Sequence, residues 1–299
     1  MNEIFSHYSV MHRNVISSCR EHIHSEFPSF WDGTAGEGGH SLLIQKEFQN
    51  AEILLTDRDP VMLERARLRL REYADRCRFV NINFSDYTPE YSEKFDCILL
   101  DLGISMYHLK GSERGFSFQG EEELNMNLDG EYDETAADIL NRYRKEELEK
   151  IIKEFGEESW ASKIAETIVT ERKKKKFSTN ADLADLIYRT IPRKFHSKGI
   201  HPATKTFQAL RIHVNRELEH IEKAVLKMPE YLKENGILTV ISFHSLEDRI
   251  IKQKFKEQEK LGHYKIITKK PVTPSDAELK ENPASRSAKM RVLKKTAQE

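Results

Sequence analysis

Asp32-Gly33-Thr34-Ala35-Gly36-Glu37-Gly38-Gly39-His40-Ser41 follows a short apolar strand candidate, residues 30–32, and precedes a helical pattern. Glycines at such a junction let the backbone take positive φ without strain and let a ligand approach closely. A carboxylate, Asp57, closes the next strand candidate about 20 residues on, the spacing of an acid that grips ribose hydroxyls in nucleotide-binding folds. Strand, glycine turn, helix and acid-tipped strand together predict a parallel α/β sheet with its ligand at the carboxyl edge.

Working outward, strand candidates at 30–32, 53–57, 78–82 and 95–101 each end in or soon meet an acidic or glycine-rich turn. A helix at 60–73 separates the second from the third, with Pro60 in its first turn and Met62, Leu63, Ala66 and Leu70 on one face. From about 134 to 228 no convincing strand occurs. Thr135 opens a helical run through Ile139, Leu140, Leu148, Ile151 and Ile152, and Ser178-Thr179-Asn180 reads as a cap before Leu183, Leu186 and Ile187. A continuous apolar run at 237–243 follows Asn235-Gly236, as in a buried strand. Segments 263–268 and 288–293 are expected to pair antiparallel. The expected fold is α/β, a Rossmann-like sheet domain (1–104 and 212–299) interrupted by a helical domain (105–211) at the ligand-binding edge.

Of the 299 residues, 38% are hydrophobic and 32% charged, which suits a buried core rather than disorder. No stretch reaches the roughly 18–20 apolar residues of a membrane span. The start, Met1-Asn2-Glu3-Ile4-Phe5-Ser6-His7, lacks the form of a signal peptide. Three cysteines, Cys19, Cys77 and Cys97, lack framework spacing and point to a reducing cytoplasm. The net charge of −1 means that a nucleic-acid site must be a local patch. Candidates are Arg172-Lys173-Lys174-Lys175-Lys176, the stretch with Arg193, Lys194 and Lys198, and the tail with Lys269, Lys270, Arg286, Lys289, Arg291, Lys294 and Lys295.

A nicotinamide dinucleotide wants G-x-G-x-x-G, but Gly36-Glu37-Gly38-Gly39-His40-Ser41 puts serine at the third glycine. Adenosylmethionine has no pyrophosphate and carries a sulfonium and an amino group. Acids at Asp32, Asp57 and Asp101, ending three strands, suit that cationic ligand better.

Several collinear blocks resemble the RsmH (MraW) family of 16S rRNA cytosine-N4 methyltransferases. They are His7-Tyr8-Ser9-Val10, the glycine turn, Asp57-Arg58-Asp59-Pro60, Asn83-Phe84, Leu100-Asp101-Leu102-Gly103-Ile104-Ser105 and Arg114-Gly115-Phe116-Ser117-Phe118. Phe155-Gly156-Glu157-Glu158, the block from His201-Pro202-Ala203-Thr204 to Gln208-Ala209-Leu210-Arg211-Ile212, and Ser242-Phe243-His244-Ser245-Leu246-Glu247-Asp248-Arg249 complete the set, which spans most of the chain.

The resemblance implies a Rossmann-like methyltransferase sheet that binds S-adenosyl-L-methionine through Gly38, Gly39, His40, Asp57, Phe84, Asp101 and His108. Asp57 would hold the ribose and Phe84 lie by the adenine. The implied substrate is a cytosine of 16S rRNA in the decoding region, near the ribosomal P site, with the small ribosomal subunit as partner; a homodimer is compatible with it. His108 stands where the family usually has glutamine, and Ser105-Met106-Tyr107-His108 replaces S-S-P-Q. Leu124-Asn125-Met126-Asn127-Leu128-Asp129 replaces L-D-M-R-M-D, so Asn125 and Asn127 remove an acid and a base together.

An exocyclic amine is a poor nucleophile until an acceptor holds its hydrogen, and Asp101, then Ser105, are the candidate catalytic acceptors. His244-Ser245 with Asp248 lacks a G-x-S-x-G elbow and does not read as a hydrolase triad. It reads as pocket wall or RNA contact at the end of a strand. Cys19, His22 and His24 lack a fourth metal ligand and read as a solvated helix face. His201-Pro202 and Arg211 are candidate RNA or interdomain contacts, with simple packing as the alternative.

Overall fold

Seven strands form one sheet in the computed structural model, which describes residues 9–130, 134–197 and 199–297. They are β1 (Ser29–Asp32), β2 (Glu52–Asp57), β3 (Cys77–Asn81), β4 (Phe95–Asp101), β5 (Leu232–Ser242), β6 (Tyr264–Ile266) and β7 (Lys289–Lys295). Their order is β3-β2-β1-β4-β5-β7-β6. β1 to β5 run parallel, while β7 runs antiparallel between β5 and β6, so the two closing segments do pair as expected. The strand order reverses between β1 and β4, which opens a crevice above their carboxyl ends.

Alternation along the strands divides the sheet's apolar residues between two faces. Phe30, Ile53, Leu55, Cys97, Leu99, Ile237 and Ile241 share one core with Val15, Cys19, Ile44, Leu63 and Ala66 of the helices His12–His22, Gly39–Glu47 and Pro60–Arg69. Trp31, Leu54, Ile98, Leu100, Leu238 and Val240 share the other with Ile221 and Val225 of helix Glu217–Lys227 and Phe255 of helix Ser245–Lys260. Trp31 is fully buried and donates its indole N–H to Thr56 Oγ1 at 3.0 Å, so the largest core side chain leaves no polar group unmet.

Three local details depart from the expectations. The helix expected over 60–73 ends at Arg69, and a 3-10 turn, Arg71–Arg76, carries the chain to β3. Its start is set by Asp59, whose carboxylate accepts from Val61 N, with Pro60 at the first position. β5 begins at Leu232 rather than 237, because a register shift against β4 absorbs Asn235, at φ 64°, inside the strand. β5 also stops at Ser242, so His244 lies beyond it and caps helix Ser245–Lys260. The expectation that His244 and Ser245 sit on a strand is corrected accordingly.

The chain divides into two compact units, Met1–Gly103 with Leu218–Glu299, and Ile104–Glu217. The second has its own core, built by Ile139, Leu140, Leu148, Ile152, Ile164, Ile168, Leu183, Ile187 and Leu210. These come from helices Ala136–Arg142, Lys145–Gly156, Ala161–Glu171, Asn180–Thr190 and Thr204–Val214. Thr135 and Thr179 cap two of them, each in a reciprocal box with Asp138 or Asp182. No helix among the described residues is long and apolar enough to cross a membrane.

Candidate functional site

In the first unit, Asp32, Asp57 and Asp101 end β1, β2 and β4, three neighbouring parallel strands. The glycine turn threads between them. Gly38 has φ 75° and is the cap of helix Gly39–Glu47, where a side chain would be strained and would press on Ala66 and Leu70. At Gly39 a Cβ would collide with Ser9 Oγ, so the turn lies directly under the segment Ser9–Met11. That segment is held in turn by Glu278, whose carboxylate accepts from Met11 N.

Each acid has a different environment. Asp57 takes Gly36 N at 2.8 Å on one oxygen and Asp59 N at 2.9 Å on the other, which ties the glycine turn to the turn that follows β2. Asp32 is buried and accepts from Ser41 Oγ at 2.6 Å; burial pushes its carboxyl above the usual range. Ser41, where a dinucleotide fold would show glycine, thus holds Asp32. Asp101 faces His40, Oδ2 to Nε2 at 3.3 Å, and its own N–H donates to Thr34 Oγ1 at 2.7 Å. Burial alone would push the His40 imidazole down. Contact with Asp101, and the charges of Asp101, Asp32 and Glu278, outweigh it and raise the pKa. Among the described residues no donor reaches Asp101 Oδ1, although the atom is buried. A buried carboxylate oxygen in this state can accept from a ligand's N–H or O–H.

Beyond β3, Asn83 is buried, and no acceptor among the described residues reaches its Nδ2. Phe84, beside it, is half-buried against Trp31's side of the sheet, its Cβ close over Gly33. The sequence marks Phe84 as a site residue and leaves Asn83 unmarked; the Asn-Phe pair directly after a strand is the signal for both.

Ser105 and His108 belong to the second unit, where they pair with each other. Ser105 caps the short helix Met106–Lys110, and His108 Nδ1 lies 3.1 Å from both Ser105 N and Ser105 Oγ. His108 packs its ring edge-on against Phe116. In the same unit Asn125 Oδ1 accepts from Asn127 N, and Asn127 Oδ1 accepts from Asp129 N at 3.2 Å and Gly130 N at 2.9 Å. The two amides are turn formers here.

Other candidates resolve differently. Asp248 is bound by Arg291 at 2.6 Å and Lys289 at 3.6 Å, so it is no partner for a His-Ser pair. Cys19 is not on a solvated face: it is fully buried, its Sγ 3.9 Å from that of Cys97. His22 and His24 line a cavity of about 460 Å³ with Asp96, Glu234, Asn235 and Lys294, at the amino edge of the sheet, opposite the three acids. Of the basic runs, Lys174 pairs with Glu171 and Lys175 with Asp182, each at 2.7 Å. In the tail Arg291 and Lys289 are spent on Asp248, and Lys295 Nζ donates to Leu232 O. Lys198, like His7 and Tyr8, lies outside the described residues.

The pocket edge therefore combines acids, a buried imidazole and close backbone, and it suits a cationic ligand that also bears hydroxyls. A family model described as the MraW methylase family matches residues 4–296. The chain is 48% identical, over 297 residues, to the Ribosomal RNA small subunit methyltransferase H of Leptospira interrogans serogroup Icterohaemorrhagiae serovar copenhageni (strain Fiocruz L1-130), covering 97% of this chain and 89% of that one. It is 49% identical to the protein of the same name from Sulfurihydrogenibium sp. (strain YO3AOP1), covering 96% and 98%. A third such protein, from Persephonella marina (strain DSM 14350 / EX-H1), is 46% identical over 97% of this chain and 99% of its own.

Proposed function

The chain belongs to the MraW methylase family, and on that premise we propose that it transfers a methyl group from S-adenosylmethionine to the exocyclic N4 of a cytosine in the decoding region of 16S ribosomal RNA. The sheet unit is then the methyltransferase domain and the helical unit the substrate-recognition domain, acting in the cytoplasm on RNA within the small ribosomal subunit. The observation that carries the reading is the carboxyl edge of the sheet, where Asp32 and Asp101 flank a buried histidine, Asp57 ends the neighbouring strand, and Asp101 Oδ1 lacks a donor among the described residues.

The residues present fit the donor. Asp57 would hold its ribose, Phe84 would lie by its adenine, Gly38 and Gly39 would pass its methionine part, and His40 and His108 complete the set. Bound adenosylmethionine supplies an electrophilic methyl on sulfur. The chain supplies the rest. The N4 lone pair of cytosine is delocalised into the ring, and a carboxylate that accepts an N4 hydrogen localises it for attack. Asp101 is the first candidate for that acceptor and Ser105 the second. Orientation of the amine in line with sulfur accounts for several kcal/mol of the barrier, about 7–11 at the upper bound. The base must leave its stack, at a few kcal/mol, which loop RNA reduces.

The test is transfer of tritiated methyl from adenosylmethionine to unmodified small ribosomal subunits, followed by mass spectrometry of the nucleosides. N4-methylcytidine is expected. Absence of label in RNA from a protein that binds the donor would overturn the proposal.

A further inference from the structure

One surface of the helical unit combines aromatic rings with cations that have no carboxylate partner among the described residues. Helix Asn180–Thr190 ends where Pro192 forbids its continuation, and a 3-10 turn, Arg193–Phe195, follows. Ile191 is buried and anchors the junction, while Phe195 is left 53% exposed and Tyr188 42% exposed. The rings are ordered. His201 stacks on Phe118 with centroids 4.6 Å apart and planes 10° apart, and Tyr188 extends the same stack at 6.0 Å and 23°. His196 meets Tyr188 edge-on at 4.9 Å. Phe195 leans on Trp160 at 5.2 Å, with Lys194 Nζ 5.0 Å from its ring centre.

The charge here is one-sided. From residue 186 to 216 the sequence holds no Asp or Glu but seven cations, Arg189, Arg193, Lys194, Lys198, Lys205, Arg211 and Arg216, in a chain of net charge −1; of these Arg211 is paired with Glu217 at 2.8 Å. Among the described residues no carboxylate lies within ion-pair distance of Arg189, Arg193 or Lys194, unlike Lys174 and Lys175 of the neighbouring lysine run. A three-ring stack with a half-exposed outer ring, beside unopposed cations, matches the two devices by which proteins hold single-stranded nucleic acid: bases on aromatic faces and phosphates on cations.

We propose that Tyr188 and Phe195, with Arg189, Arg193 and Lys194, form a stacking platform that takes a single-stranded segment of the ribosomal RNA. The proposal rests on the RNA-methyltransferase reading above and assigns its RNA contact to this face rather than to the lysine run or the tail.

The experiment uses the full chain, with fluorescence anisotropy of labelled oligocytidylate, labelled oligoadenylate and a blunt RNA duplex. Native protein is expected to prefer both single strands. Tyr188→Ala and Phe195→Ala should each weaken single-strand binding about tenfold, since each stacked base is worth about 1–3 kcal/mol, while Tyr188→Phe and Phe195→Tyr restore it. Arg193→Gln with Lys194→Gln should lower the salt slope by about 1.4, the value for two phosphate contacts on a single strand. Adenosylmethionine affinity, by calorimetry, should stay at the native value in every variant, which also reports intact folding. Unchanged RNA binding in both alanine variants would overturn the platform. So would a change of sedimentation with RNA binding intact, since the face would then cover a second protein chain. Normal N4-methylation of subunits by both alanine variants would remove the platform and leave the function standing. Ring-dependent binding without any N4-methylcytidine would do the opposite.

Discussion

His40 Nε2 lies 3.3 Å from Asp101 Oδ2, and both side chains are almost wholly buried. The contact ties the first turn of the helix after β1 to the end of β4, across the point where the strand order reverses. It also fixes how stability should respond to pH.

Burial disfavours the charged imidazole, but the surrounding carboxylates win and raise its pKa above the ordinary 6.5. A raised native pKa means that folding favours the protonated form. The stabilisation is therefore complete below 6.5 and disappears as pH rises through the native value. His40→Gln should cost most on the acid side, about 3 kcal/mol for a broken buried pair, and progressively less in alkali. Urea unfolding of both proteins across neutral pH measures this; a difference that does not vary with pH would refute it.

Asp57→Ala removes the acceptor of Gly36 N and Asp59 N and loosens both the glycine turn and the turn that follows β2. Donor affinity should fall roughly 10- to 100-fold, on the scale of a lost charge-assisted hydrogen bond or two. RNA affinity should stay near native. Calorimetry with adenosylmethionine decides it, and equal affinities for the two proteins would take Asp57 out of the site.

Asn127 organises the turn before Gly130 with two backbone hydrogen bonds. Asn127→Ala should destabilise the helical unit by about 1–3 kcal/mol, whereas Asn127→Asp keeps the acceptor and should be close to native. Thermal unfolding distinguishes them. Equal melting temperatures for Asn127→Ala and native protein would mean the side chain is dispensable.

Glu278 holds the backbone of Met11, itself in a left-handed conformation at φ 54° and fully buried. Glu278→Ala leaves that N–H unmet, at about 1–3 kcal/mol, and Glu278→Gln supplies a carbonyl in its place. Hydrogen exchange at Met11 should rise sharply in the first variant and little in the second. Slow exchange in both would show that the contact is not what protects it.

What was legible in the sequence was local. Apolar runs ending in acids located β1, β2 and β4 to within a residue, and glycines marked the turn above them. Helical spacing after Thr135 marked the second unit. What was not legible depends on long-range pairing or on where an element stops. Cys19 reads as solvated until the face of its helix is known to pack on β4. His244 reads as a strand residue until β5 ends at Ser242. Nothing in the local pattern connects Met11 with Glu278, 267 residues away. The lysine run reads as one of three candidate phosphate sites because composition does not reveal that Glu171 and Asp182 already take two of its charges.

β4 and β5 are hydrogen-bonded neighbours at the middle of the sheet, yet all of Ile104–Glu217 is synthesised between them. As the chain leaves the ribosome, the helices of that insertion have their complete core in hand before β5 exists. β4, with Asp101 at its tip, waits meanwhile as an unpaired edge, the state most open to mispairing. Contacts this far apart in sequence form slowly. A chain cut short before Leu232 therefore carries a folded helical unit and an open half-sheet, and only the arrival of β5 closes the edge on which Asp101 stands.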